Sequence, residues 1–227
     1  MTPVARLRIA TLFEDLTEAE LEKIAQLCSM RTYERDAQIM GEHDETDDVF
    51  FILDGAVRVN SHASTGREVV FTEVSAGGMF GEFSAIDGLP RSATVIAISD
   101  CLVARLSAEA FSSVLHANAR VAYRLIELLV SRIRRTTERF FEVSALAVRA
   151  RVHRELLRLA TDAGLSGQDA VIAAAPTHYE FAVRIGTHRE AVTREFNRLE
   201  SAGIIEVRKR NIRILNMTQL RQFDDAP

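Results

Sequence analysis

The stretch from Gly81 to Val95, GEFSAIDGLPRSATV, decides how this chain is read. Glu82 and Arg91 place an acid and a base at the two ends of a segment rich in Gly, small and apolar residues, and the run closes on β-branched residues. The intervening FSAIDGLP does not fit a strand. It fits one short helical turn ended by Asp87-Gly88, with Pro90 just before the arginine. Read from these residues alone, the pair has two explanations. One is an internal Glu82–Arg91 salt bridge. The other is a ligand between them.

Outward from this stretch the pattern is β. From about Arg31 to Leu106 short β-rich runs alternate with turn signals at Asp54-Gly55, Gly77-Gly78 and Ser99-Asp100. Asp54-Gly55, inside VFFILDGAVRVN, reads as a hairpin. Many short strands with Gly turns predict a small β-sandwich or barrel. Before it, TEAELEKIAQLC predicts a helix with Thr17 as N-cap and Glu20 completing a capping box.

From Ser107 to about Ser144 there is neither Pro nor Gly, and Val121, Leu125, Leu128, Leu129, Ile133, Phe140 and Phe141 recur at helical steps. One unbroken helix of this length, about 50 Å at 1.5 Å per residue, outruns what a small barrel covers. A second copy of the same helix is the simplest partner for the excess. Thr136-Thr137 interrupts the apolar stripe. Those hydroxyls either bond back to helix carbonyls or reach a polar ligand beside the helix.

Residues 145–227 read as a second unit. SALAVRARVHRELLRLATDAGL is a helix closed by Gly164. THYEFAVRIG and THREAVTREFNRLESAG are two short helices around a Gly-bearing turn, with capping boxes Thr177/Glu180 and Thr187/Glu190. This is a helix-turn-helix pattern. IIEV and IRIL flank RKRN, a basic hairpin or wing. The first turns of the second helix carry His188, Arg189, Glu190, Thr193 and Arg194. Arg189 and Arg194 can fork onto guanine, and Glu190 can accept from cytosine N4. The other explanation is a solvated helix face on which Glu190 only caps. Arg208, Lys209 and Arg210 on the wing suit phosphates.

The charge is polarised in the same way. Of the 227 residues, the first 130 hold 11 Lys and Arg against 20 Asp and Glu, and the remainder hold 17 against 12. An acidic half and a basic half point to sensing or packing in the first and binding in the second. No apolar run approaches the ~20 residues of a membrane span, and the N-terminus lacks an apolar signal core. The expected location is cytoplasmic. Cys28 and Cys101 are lone and read as small buried hydrophobes. They are too few for a cluster or a closed zinc site, and no metal site or prosthetic group is expected.

With these residues assembled, the chain resembles, over nearly its full length, the cyclic-AMP receptor protein / fumarate-nitrate regulator superfamily of bacterial transcription factors. GEFSAIDGLPRSATV resembles the phosphate-binding cassette of cyclic-nucleotide-binding domains, and THREAVTREFNRLE resembles the family's recognition helix. The resemblance implies an α+β chain. It would have a jelly-roll-like N-terminal β-roll over residues 1–115, a long dimerisation helix over 116–144, and a winged helix-turn-helix over 145–227. It implies that Arg91 pairs the phosphate of cyclic AMP or cyclic GMP and that Glu82 accepts from the ribose 2′-OH. Gly81, Phe83, Ser84 and Ser92 complete the cassette. Phe71 and Thr72 would line the purine, and Thr136 and Thr137 would meet the base, one of them across the dimer. It further implies a homodimer on a palindromic double-stranded DNA site, read through Thr187, His188, Arg189, Glu190, Thr193 and Arg194. His178 would stand at the flank where the family has an arginine. Arg208, Lys209 and Arg210 would lie on the wing, and RNA polymerase would be a partner. Ligand binding would bias a hinge near Val143–Leu146. The chain would not be an enzyme and would have no catalytic residues. The alternative is a regulator of the same fold that answers to another small effector or binds DNA constitutively.

Overall fold

The computed structural model describes residues 3–62, 68–165 and 170–222. The chain divides into two compact units, Met1–Arg132 and Ile133–Pro227, each with its own apolar core.

In the first unit α1 (Pro3–Leu7) and α2 (Glu18–Leu27) precede the strands. Thr17 caps α2 as the sequence predicts: its hydroxyl accepts from Glu20 N, while its own N–H donates to Glu20 Oε2 at 2.9 Å. The strands are β1 (Ser29–Tyr33), β2 (Gln38–Met40), β3 (Val49–Asp54), β4 (Ala56–His62), β5 (Glu68–Ser75), β6 (Met79–Phe80), β7 (Thr94–Ala97) and β8 (Cys101–Leu106). They form two four-stranded sheets, ordered β1-β8-β3-β6 and β2-β7-β4-β5. Strand β3 is central and buries every residue but the last.

Asp54-Gly55 does not make the expected hairpin. Strands β3 and β4 lie in different sheets, so the dipeptide is a corner at which the chain changes sheet. Gly77-Gly78 and Ser99-Asp100 are corners of the same kind. The corner at Gly55 is packed on the corner at Asp100: a Cβ on Gly55 would lie 2.2 Å from Asp100 O. Strands β4 and β5 do pair in sequence order, with a β-bulge. The register passes from Val59↔Thr72 to Asn60↔Val70 and leaves Phe71 unopposed and half exposed.

The expected single helix from Ser107 is two, α4 (Ala108–Ala117) and α5 (Ala119–Ala145). Asn118 breaks it. Its backbone is extended, and its Oδ1 accepts from Arg120 N at 3.1 Å and Val121 N at 3.3 Å, capping the second helix. One face of α5 buries Val121 and Leu125 against the β-roll core. Another leaves Tyr123, Ile126, Val130, Ile133 and Phe140 exposed. Their three- and four-residue spacing is a heptad seam, with Thr137 at the step between Ile133 and Phe140.

The second unit holds the end of α5, then α6 (Val148–Asp162), β9 (Ala170–Ile172), α7 (His178–Arg184), α8 (Arg189–Ser201), β10 (Ile205–Arg208), β11 (Asn211–Ile214) and α9 (Met217–Gln222). The wing is a sheet ordered β10-β11-β9, one strand more than the sequence pattern indicates. The Thr177/Glu180 capping box is present. The Thr187/Glu190 box is not: α8 starts one residue later, with His188 at the N-cap. Thr187 N is drawn back to Ala182 O at 2.9 Å in closing α7, and Gly186 takes the left-handed φ of 67° that this closure needs. Among the described residues, no helix is long and apolar enough to cross a membrane.

Candidate functional site

The cassette sits where β6 runs into α3 (Glu82–Asp87) and then, through Pro90, into β7. Gly81 has φ 85°, and a Cβ there would lie 2.6 Å from Asp48 O and 3.0 Å from Arg91 Nη1. Glycine is required because the loop before β3 and the arginine both crowd this point.

Arg91 and Glu82 are 1% and 2% exposed. They do not form a salt bridge with each other. Arg91 donates Nε–H to Thr46 Oγ1 at 2.9 Å, Nη1–H to Gly81 O at 2.8 Å and Nη2–H to Asp48 O at 2.9 Å. All three acceptors are neutral, and one N–H on each terminal nitrogen is left over. Burial lowers the guanidinium from its usual range, against the opposing fields of Asp48, Asp47, Asp44 and Glu82. Glu82 is instead paired with Arg132 of α5, whose Nη2 also donates to Met79 O at 2.6 Å. Burial raises the Glu82 carboxyl, and Arg132 opposes that rise.

Around this pair, Ser84 is buried, whereas Phe83 and Ser92 are exposed. Thr72 faces the same side of its sheet as Val59, which packs on the β-roll core. Its hydroxyl donates to Glu73 O at 3.2 Å. Thr136 and Thr137 belong to the second unit. Both are exposed, and Thr137 Oγ1 donates to Ile133 O at 2.9 Å, the back-bonded alternative of the two read from sequence.

In the second unit α8 presents Arg189, Glu190 and Arg194 to solvent. None of these three side chains makes a hydrogen bond or ion pair among the described residues. Glu190 is therefore not a cap. Thr193 is differently placed. Its hydroxyl donates to Arg189 O at 3.0 Å and lies 2.9 Å from His178 Nδ1, so it accepts there from the Nδ1-protonated ring. His178 also packs on Phe196, with ring centroids 4.7 Å apart. Burial, then the charge of Arg189, lower its pKa. On the wing, Arg208 pairs with Glu206 at 2.6 Å and Arg210 approaches Glu180 at 3.8 Å. Lys209, at the tip with φ 56°, has no such partner among the described residues.

Comparison with known proteins accounts for both halves. Residues 30–118 match the cyclic nucleotide-binding domain, and residues 150–223 match the Crp-like helix-turn-helix domain. The chain belongs to the transcription regulators that join a cyclic nucleotide-binding domain to a Crp-like helix-turn-helix domain. It is 28% identical over 192 residues to the cAMP-activated global transcriptional regulator Vfr of Pseudomonas aeruginosa, covering 83% of this chain and 90% of that one. Among solved structures it resembles a CooA mutant from Carboxydothermus hydrogenoformans at TM-score 0.80 and 18% identity, over 96% of this chain and 95% of that one. It also resembles FixK2 from Bradyrhizobium japonicum at TM-score 0.75 and 22% identity, over 88% and 98%. These two structures bear on the fold alone.

Some residues that organise this regulator carry no signal in the cassette motif. Thr46 and Asp48 lie in GEHDETDD, which reads as a solvated acidic loop. Arg132 stands four residues before Thr136 and so on its side of the helix, a spacing that could have marked it. His153 and Glu195 are both buried, 2.6 Å apart, joining α6 to the back of α8. Burial raises the Glu195 carboxyl, but hydrogen bonds from His153 and Arg198 and the charge of Arg198 outweigh it and hold it at about 2.

Proposed function

We propose that this protein is a cyclic-nucleotide-dependent regulator that binds a palindromic DNA site as a homodimer. The observation that carries the nucleotide half is Arg91: a guanidinium 1% exposed, held by neutral acceptors only, with two N–H groups to spare. A buried cation without a bonded carboxylate favours an anionic ligand. In this reading Arg91 and Ser92 take the phosphate of cyclic AMP or cyclic GMP, and Glu82 takes the 2′-OH. Phe71 and Thr72 line the base, and Thr136 and Thr137 meet it. Calorimetric titration with cyclic AMP and cyclic GMP is the test. Binding of neither would favour the alternative, a regulator of the same fold that responds to another effector or to none.

The exposed heptad of Tyr123, Ile126, Val130 and Ile133 supports a dimer through α5. The unpartnered Arg189, Glu190 and Arg194 support base reading in the major groove. A cytoplasmic location, contact with RNA polymerase and the absence of catalysis belong to the same reading. Footprinting with and without nucleotide tests the DNA half.

A further inference from the structure

Residues 41–48, GEHDETDD, are wrapped around Arg91. His43 N donates to Arg91 O and Arg91 N to Asp44 O, both at 2.9 Å, while Thr46 Oγ1 and Asp48 O accept from the guanidinium. Three of the loop's carboxylates are committed, Glu42 among them, whose Oε2 accepts from Ser61 Oγ at 2.7 Å. Asp44 Oδ2 accepts from Gly41 N at 2.7 Å, and Asp48 pairs with Arg105 at 2.7 Å. Glu45 and Asp47 are not committed. Both are exposed, and neither makes a hydrogen bond or ion pair among the described residues. Together with Thr46 and Ser84 they line one cleft of about 250 Å³ beside the cassette.

We propose that Glu45 and Asp47 are specificity-determining residues: a charge filter that admits a phosphodiester with one negative charge and turns away phosphomonoesters with two. The inference rests on the nucleotide reading and deepens it. A cyclic phosphate is a monoanion. A terminal phosphomonoester has a second pKa of about 6 and carries nearly two charges at neutral pH. Arg91 has one charge and two free N–H groups, enough for one anionic phosphate edge. A second negative charge would face two carboxylates that have no hydrogen-bond or ion-pair partner among the described residues, in a partly enclosed cleft where repulsion is screened less than in bulk water. Discrimination by repulsion needs no contact with the accepted ligand.

The test is competition against a fluorescent cyclic nucleotide by cyclic AMP and by 5′-AMP, in the unmodified full-length protein and in E45Q/D47N. Both are measured at about 0.05 M and about 0.5 M salt. The substitutions are isosteric, exposed and spare the two committed aspartates. The affinity for 5′-AMP relative to cyclic AMP should rise about tenfold in the variant at low salt, and by less at high salt. A ratio that stays within about twofold of the unmodified protein's, or no competition by 5′-AMP in the variant, overturns the filter while leaving the nucleotide reading standing. If cyclic AMP and cyclic GMP both fail to bind the unmodified protein, the nucleotide reading falls and the filter falls with it.

Discussion

Glu82 is paired with Arg132 of α5 and not with Arg91, which stands closer to it in sequence. The two buried charges of the cassette are thus held separately: the acid by a helix, the base by a loop. Replacing Arg132 with Gln leaves Glu82 buried without its ion-pair partner. The first unit should lose about 1–3 kcal/mol, discounted because Arg132 is partly exposed. Urea unfolding measures this, and R132Q/E82Q should lose less than the two single variants added together.

Gly81→Ala should be more damaging than its size suggests. The left-handed φ of 85° and a Cβ 2.6 Å from Asp48 O together should cost roughly 3 kcal/mol or more. A lowered thermal midpoint with loss of nucleotide binding is the expected result. Arg91→Ala should abolish nucleotide response and also loosen residues 43–48, which hydrogen exchange would report as faster amides in that loop.

On DNA, Glu190→Ala should relax discrimination at one base pair by ~1–3 kcal/mol, read by selection from a randomised half-site. Lys209→Ala should weaken all sequences alike and reduce the salt slope by about 1. Arg208→Ala should do less, because Glu206 already occupies that guanidinium.

Glu195 sets an acid limit on the second unit. Its folded-state pKa of about 2 lies below the unfolded 4.5, so the ionised carboxylate stabilises the fold above that upper value. The contribution drains away as the pH falls toward 2. Unfolding followed across this window should show an acid-dependent loss that E195Q lacks, with E195Q the less stable protein at neutral pH.

The sequence by itself determined what local chemistry can determine. Capping boxes at Thr17 and Thr177, the short helix between Glu82 and Arg91 and the wing hairpin depend on neighbours in the chain, and the structure has them where the sequence puts them. Thr187 does not cap α8, because its N–H is drawn back to Ala182 O in closing α7, and the run from Ser107 divides in two because Asn118 leaves the helix and caps the second part. Tertiary structure decided the rest. Asp54-Gly55 turns a corner instead of a hairpin because the strands on either side gain more by joining opposite sheets around a common core. The partners of Glu82 and Arg91 could not be read from spacing. Burial selects the charge that space brings nearest: Arg132 from another element for the acid, and the acceptors of a loop that looked merely solvated for the base.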